Sequence, residues 1–268
     1  MGNLFDAVRD CLLCADVEQK LTQTRATAVA FREGRMDMEP FGTPVDVRRP
    51  GRPLRPRLVP PARVPGRGTG TPEGRAIMLH AIAHIEFNAI NLALDIVQRF
   101  SGMPDAFYAD WLQVADEEVY HFVLVRTHLQ TFGHDYGDFD AHNGLWEMAE
   151  KTADDVLERL ALVPRVLEAR GLDVTPGIMA KFRQAGDEEA VAILEVILRD
   201  EIGHVEAGTR WFRHVCRQRG LDAGHHFLGL LKAHFPAGLK GVLNVGARRQ
   251  AGFTDHEMKR ARQIMACR

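Results

Sequence analysis

The carboxylate of Glu86 lies within LHAIAHIEFNAINLAL (79–94), and this placement constrains the chain more than any other feature. On a helix its neighbours at i−4, i−3, i+3, i+4 and i+7 are Ile82, Ala83, Ala89, Ile90 and Ala93, so it belongs to the apolar face that a helix buries. A lone ionised carboxylate in such an interior is very costly; it has to be paired, protonated or bound to metal. Any fold of this chain therefore has to bring partners to Glu86.

The surrounding pattern is helical and long. Periodicity predicts a helix over 73–100, stopped by the Ser101-Gly102-Met103-Pro104 turn, and a second over 105–132, stopped by Gly133. A third is expected from near Trp146 to Arg170, kinked by Pro164 and ended by Gly171. Thr175-Pro176 then opens a short helix through Ala185, and a fourth long helix follows Gly186 and extends to about Gly220. Helices of about 24 residues, some 36 Å each, suit a bundle. Two hairpins joined by a longer connection (133–146) correspond to the ferritin-like arrangement. With few alternating β-branched runs, the fold class is all-α.

Residues 1–34 also read as helix, interrupted at Gly34. The segment RRPGRPLRPRLVPPARVPGRG (48–68) then changes the pattern, with six prolines and seven arginines. It is extended and polyproline-like. A basic arm touching RNA is one reading. The preferred one is a strap pinned across a helical domain by Leu54, Leu58 and Val59, because fixed φ angles make ordering cheap. The expected organisation is a helix and strap over 1–74, a bundle over 75–217, and a C-terminal extension with an extra helix over 218–268.

Composition places the chain among ordinary globular proteins, at 46% hydrophobic and 26% charged with a net charge of −2. Nothing in that balance demands a nucleic acid or an anionic membrane. The N-terminus lacks a secretory pattern and no long uninterrupted apolar run stands out, so a cytoplasmic protein without a membrane partner is expected. Cys11, Cys14, Cys216 and Cys267 are too few and scattered for a disulfide framework.

The partners for Glu86 come from two Glu-x-x-His motifs, Glu118-Val119-Tyr120-His121 and Glu201-Ile202-Gly203-His204. A spacing of three puts both side chains on one helical face, within reach of a shared ion. Each motif falls midway along a predicted long helix. Each is also preceded by an acid, Glu117 or Asp200, placed to accept the imidazole's second N–H and fix its tautomer. Tyr120 neighbours the site as a candidate redox phenol or core tyrosine. The third helix offers Glu158 and Glu168. Glu168 lies 33 residues before Glu201, matching the 32 between Glu86 and Glu118, so it is the preferred ligand, with Glu158 as alternate. Four carboxylates carry about −4, which two divalent ions neutralise and one does not. Mixed oxygen and imidazole donors favour iron or manganese.

The series Glu86, Glu118/His121, Glu168, Glu201/His204 resembles that of the ferritin-like dimetal-carboxylate superfamily. HDYGDFDAHNGLWEMA, RVLEARGLDVTPG and ILRDEIGHV, with the stretch around Glu86, further resemble a bacterial ferritin-like family of unknown function, related by fold to the tRNA methylthio-isopentenyladenosine hydroxylase. The resemblance implies two iron ions, with manganese or a mixed pair as variants, and an oxidase or oxygenase acting with O2 on a small-molecule substrate. A tRNA-modifying hydroxylase and a metal-binding or interaction protein without turnover are the alternatives. A homo-oligomer is compatible with all three.

Other residues carry less. Cys11-x-x-Cys14 lacks a second half-site, and two core-facing thiols are the simpler reading. His80 and His84 fall roughly opposite Glu86 and read as packing or interface residues. His225-His226 opens GHHFLGLLKAHFPAGLKG, read as a covering helix more readily than as a substrate entrance.

Overall fold

A computed structural model describes residues 2–39, 43–46, 48, 50–236 and 241–266. The described residues are helical apart from loops, one short parallel pair, β1 (Gly2–Asn3) with β2 (Met36–Asp37), and an isolated parallel bridge between Leu58 and Ala141. It divides into two compact units, one of 1–150 with 181–193 and one of 151–180 with 194–268.

In the first unit the expected N-terminal helix is two helices, α1 (Leu4–Leu13) and α2 (Val17–Arg32). Asp16 causes the break: its side chain accepts a hydrogen bond from Gln19 N at 2.9 Å and restarts the helix. Gly34 ends the pair at φ +67°, as its position suggests. Thr71 caps α3 (Pro72–Arg99) by accepting from Gly74 N, with Pro72 in the first turn. Gly102, at φ +80°, turns the chain into α4 (Asp105–Gln130). The α3–α4 hairpin is the most extensive helix pairing in this unit; α1 packs on α2 and α3, and α2 on α4. α3 is long and apolar enough to cross a membrane, but 83% of its apolar window is buried inside the protein.

A buried cation ties these helices together. Lys20 Nζ donates to the carbonyls of Cys11 and Leu12 at 2.7 and 3.1 Å and to Asn91 Oδ1 at 2.8 Å. It satisfies the frayed end of α1 from α2 while anchoring both to α3. Burial brings its pKa down to about 8. Cys11 is buried, whereas Cys14 is half-buried rather than in the core; both are free thiols, and Cys267 lies outside the described residues.

The Pro/Arg segment does run as an extended strap, but two of its three expected apolar pins, Leu54 and Leu58, are exposed, and only Val59 is half-buried. Leu54 is fully exposed and Leu58 is 38% exposed. Backbone bonds fasten it instead, from Gly51 N to Leu12 O at 2.8 Å, Val59 N to Ala141 O at 2.8 Å and Ala141 N to Arg57 O at 3.0 Å. Prolines remove donors, so the few remaining N–H groups set the register. At Gly51 a Cβ would stand 2.3 Å from the backbone of Leu13. Gly51→Ala is accordingly expected to cost about 3 kcal/mol, read by urea denaturation; an unchanged midpoint would mean that the strap is not seated there.

His80 and His84 are packing residues, as expected. They hold the 133–143 connection, His80 Nε2 accepting from Gly137 N at 3.0 Å and His84 Nδ1 lying 3.0 Å from Tyr136 Oη.

The third predicted helix differs most. It is α5 (Gly144–Lys151), α6 (Val156–Leu162), a π-helical turn (Val163–Glu168) and α7 (Ala169–Gln184). Asp155 starts α6 by accepting from Leu157 N. Pro164, which has no N–H to give, sits in the π turn, so the loosened hydrogen bond expected there takes the form of wider helical winding. Neither Gly171 nor Thr175-Pro176 interrupts α7; Pro176 is inside it. α8 (Glu188–Gln218) follows Gly186 as expected.

In the second unit Pro164 seats against Gly208, where a Cβ would lie 2.4 Å from the proline ring. α9 (Ala223–His234) buries Phe227 and Leu231, consistent with a covering helix; residues 237–240 of that segment lie outside the described residues. Two more helices follow, α10 (Val245–Gln250) and α11 (Asp255–Ala266), so the described part of the extension holds three helices where one was expected. Thr254 and Glu257 form a reciprocal cap on α11: Glu257 N donates to Thr254 Oγ1 at 3.1 Å and Thr254 N to Glu257 Oε2 at 2.8 Å.

Candidate metal centre

Within the first unit, α3 and α4 place Glu86, Glu118 and His121 together in the interior, with exposures of 3%, 0% and 0%. Glu118 and His121 share a face because they are three apart on α4, and the hairpin brings Glu86 to the same depth. His121 Nδ1 is the focus, 3.4 Å from Glu86 Oε2 and 3.4 Å from Glu118 Oε2. Ligand atoms of the three lie within 4.8 Å of one another. A divalent ion about 2.0–2.2 Å from each donor needs donors about 3–4 Å apart, so this set fits one. Two carboxylate oxygens and an imidazole nitrogen are also the right donors for a borderline or hard divalent metal.

Electrostatics shows what the cluster costs without a cation. Burial and the neighbouring Glu118 carboxylate push Glu86 up to about 8. Burial alone would pull His121 down, but its contacts with Glu118 and Glu86 outweigh that and raise it to about 12. In the metal-free protein both groups hold protons that a metal has to displace. Both folded pKa values are raised, so each group's contribution to stability is present below its unfolded pKa. That of Glu86 is lost as pH rises through about 8, and that of His121 declines from its ordinary value of 6.5 toward about 12. The metal-free protein should therefore lose this contribution between about pH 5 and 9, while stabilisation by added metal grows over the same window. Thermal unfolding with and without manganese at both ends of that range measures this; a stabilisation larger at the acid end contradicts it.

The other candidates take varied positions. Glu201 and His204 are both buried in the second unit on α8, with His204 Nδ1 3.7 Å from Glu201 Oε2. Glu168 closes the π turn and Glu158 lies in the first turn of α6; both are half-buried. Glu117 accepts from Gln113 Nε2 at 2.7 Å, and Asp200 pairs with Arg199 at 2.8 Å. Tyr120 is 42% exposed, its ring 6.4 Å from that of His121, because one residue along a helix turns the side chain about 100° from the buried face.

These features define a helical protein with a buried glutamate and histidine group able to hold a metal ion. The chain belongs to the family described as "Protein of unknown function (DUF455)", whose model matches residues 13–259. A Haemophilus influenzae protein described as uncharacterized is 56% identical over 213 residues, covering 77% of this chain and 74% of its own length. No solved structure matches.

Proposed function

We propose that this protein is a non-haem dimetal carboxylate oxidase or oxygenase, built as a ferritin-like four-helix bundle from α3, α4, the 144–184 segments and α8. The observation that carries this reading is the convergence of two buried carboxylates on His121 Nδ1, in an interior where their charge is tolerable only with a cation. Glu86, Glu118 and His121 form one half of the centre. Glu201 and His204, a second buried Glu-x-x-His pair, supply the other half. Glu168 supplies the remaining carboxylate in preference to Glu158, because it ends a π turn, a distortion frequent at functional sites.

Two iron ions, or manganese in one or both positions, balance the four carboxylates. Such a centre, when reduced, supplies electrons for O2 activation. The protein's part is to hold the ligands rigidly and exclude bulk water, which the zero exposure of Glu118 and His121 supports. A small organic molecule in the cytoplasm is the substrate class in this reading. The test is to load the protein anaerobically with ferrous iron, expose it to O2 and follow the near-ultraviolet absorbance. Two iron per chain and an oxidation-linked change are expected. Tight metal binding with indifference to O2 would leave a metal-binding protein without turnover.

A further inference from the structure

The strap of the first unit carries positive charge that is left unpaired among the described residues. From Arg48 to Pro72 the chain has no acid. Arg55, Arg63 and Arg67 are exposed, and none of them makes an ion pair or a side-chain hydrogen bond among the described residues. They are held beside one short stretch of chain, 137–142. Arg55 Cβ lies 3.1 Å from where a Cβ on Gly137 would stand, and Arg57 pairs with Asp140 at 2.6 Å. Arg67, with Val64 next to Arg63, borders a small pocket with Asp140, Ala141 and His142. Asp140 thus offsets Arg57. Counting the exposed Asp138 against one further arginine still leaves about two positive charges on this surface.

Leu54 adds an apolar feature to the same surface. Its side chain is fully exposed, and it shares the rim of one cavity with Arg57 and the partly exposed Leu58, so it stands beside the charged stretch. The strap is already fixed when it presents these groups. Its prolines set φ, and backbone bonds to Leu12 and Ala141 hold it, so little ordering cost opposes docking. A nucleic acid would use the arginines but leave Leu54 in water, and residues 48–72 hold no aromatic ring to stack on a base. A second copy of this chain would cover the leucine but bring like charges together. An anionic lipid surface takes both features, the arginines at its phosphates and the leucine among its acyl chains.

We propose that the strap is a peripheral docking surface for anionic phospholipid, with Arg55, Arg63 and Arg67 at the headgroups and Leu54 inserted beside them. The net charge of −2 for the whole chain gives no sign of this, because the positive charge is local. The proposal stands independently of the metal reading.

Co-sedimentation of the full chain with vesicles tests it. Vesicles of phosphatidylcholine mixed with phosphatidylglycerol should bind the protein at low salt, at least about tenfold more tightly than phosphatidylcholine alone, and physiological salt should weaken the binding. Arg55→Ala, Arg63→Ala and Arg67→Ala together should weaken it about 100-fold, at about fivefold for each charge, and Leu54→Ser alone about tenfold. All four side chains are exposed, so the variants should keep the parent's unfolding temperature, which calorimetry checks. No binding to the mixed vesicles, equal binding to phosphatidylcholine alone, or an unaffected triple variant would each overturn the proposal. Full vesicle binding by Leu54→Ser, with tighter binding of the parent to bulk RNA, would also overturn it and make the strap a nucleic-acid arm.

Discussion

His121→Ala is expected to lower the affinity of the first half-site for manganese or ferrous iron by at least about 100-fold, more than loss of an outer-shell partner costs. The imidazole does two things at once. It is the nitrogen donor on which Glu86 and Glu118 converge at 3.4 Å, and in the metal-free state it is their cationic partner. Removing one member of a buried charged group strands the rest, at a cost of about 3–5 kcal/mol. The metal-free variant should therefore be destabilised at both about pH 5 and about pH 8. Metal titration with calorimetric unfolding at both pH values separates the effects. Unchanged metal affinity in a folded variant would remove His121 from the ligand set.

Glu257→Ala should be similarly severe for stability, at about 3–5 kcal/mol, in a place without any metal. Arg165 is fully buried, and its guanidinium lies 4.7, 4.0 and 4.8 Å from the ring centroids of Phe212, Phe227 and Phe253. Glu257 meets it at 2.5 Å and also closes the cap on α11 with Thr254. Burial lowers the Arg165 pKa even though Glu257 opposes the shift, so loss of the carboxylate leaves a buried cation among three aromatic rings with Arg213 nearby. Chemical denaturation should show the loss. A change below about 1 kcal/mol would show that the three rings alone suffice for the charge. Arg165→Met with Glu257→Ala should recover part of the stability, because an apolar replacement removes the stranded charge.

Local interactions made much of the molecule legible. α3, α4 and α8 follow their predicted spans closely, because Thr71-Pro72, the Gly102 turn and Gly186 act within a few residues of where they stand. The burial of Glu86, Glu118, His121, Glu201 and His204 was legible too, since 3.6-residue periodicity alone assigns a face. Local rules failed in the 144–184 region. There Gly171 and Pro176 read as breaks, yet α7 continues through both; packing can override a propensity cost of about 1–3 kcal/mol. The strap shows the same division: its extended character follows from its prolines, but its fastening depends on backbone partners at Leu12 and Ala141, far away in sequence.

Sequence alone thus determined the spans of α3, α4 and α8, which of their faces are apolar and that acids lie on those faces, because each of these depends on neighbours within about one or two helical turns. Tertiary structure alone decided that Glu86 and Glu118 meet at His121, that Lys20 is anchored to Asn91 on α3 and that Arg165 finds Glu257 92 residues away. Those contacts depend on how elements pack in three dimensions, and no periodicity along the chain encodes a distance across it.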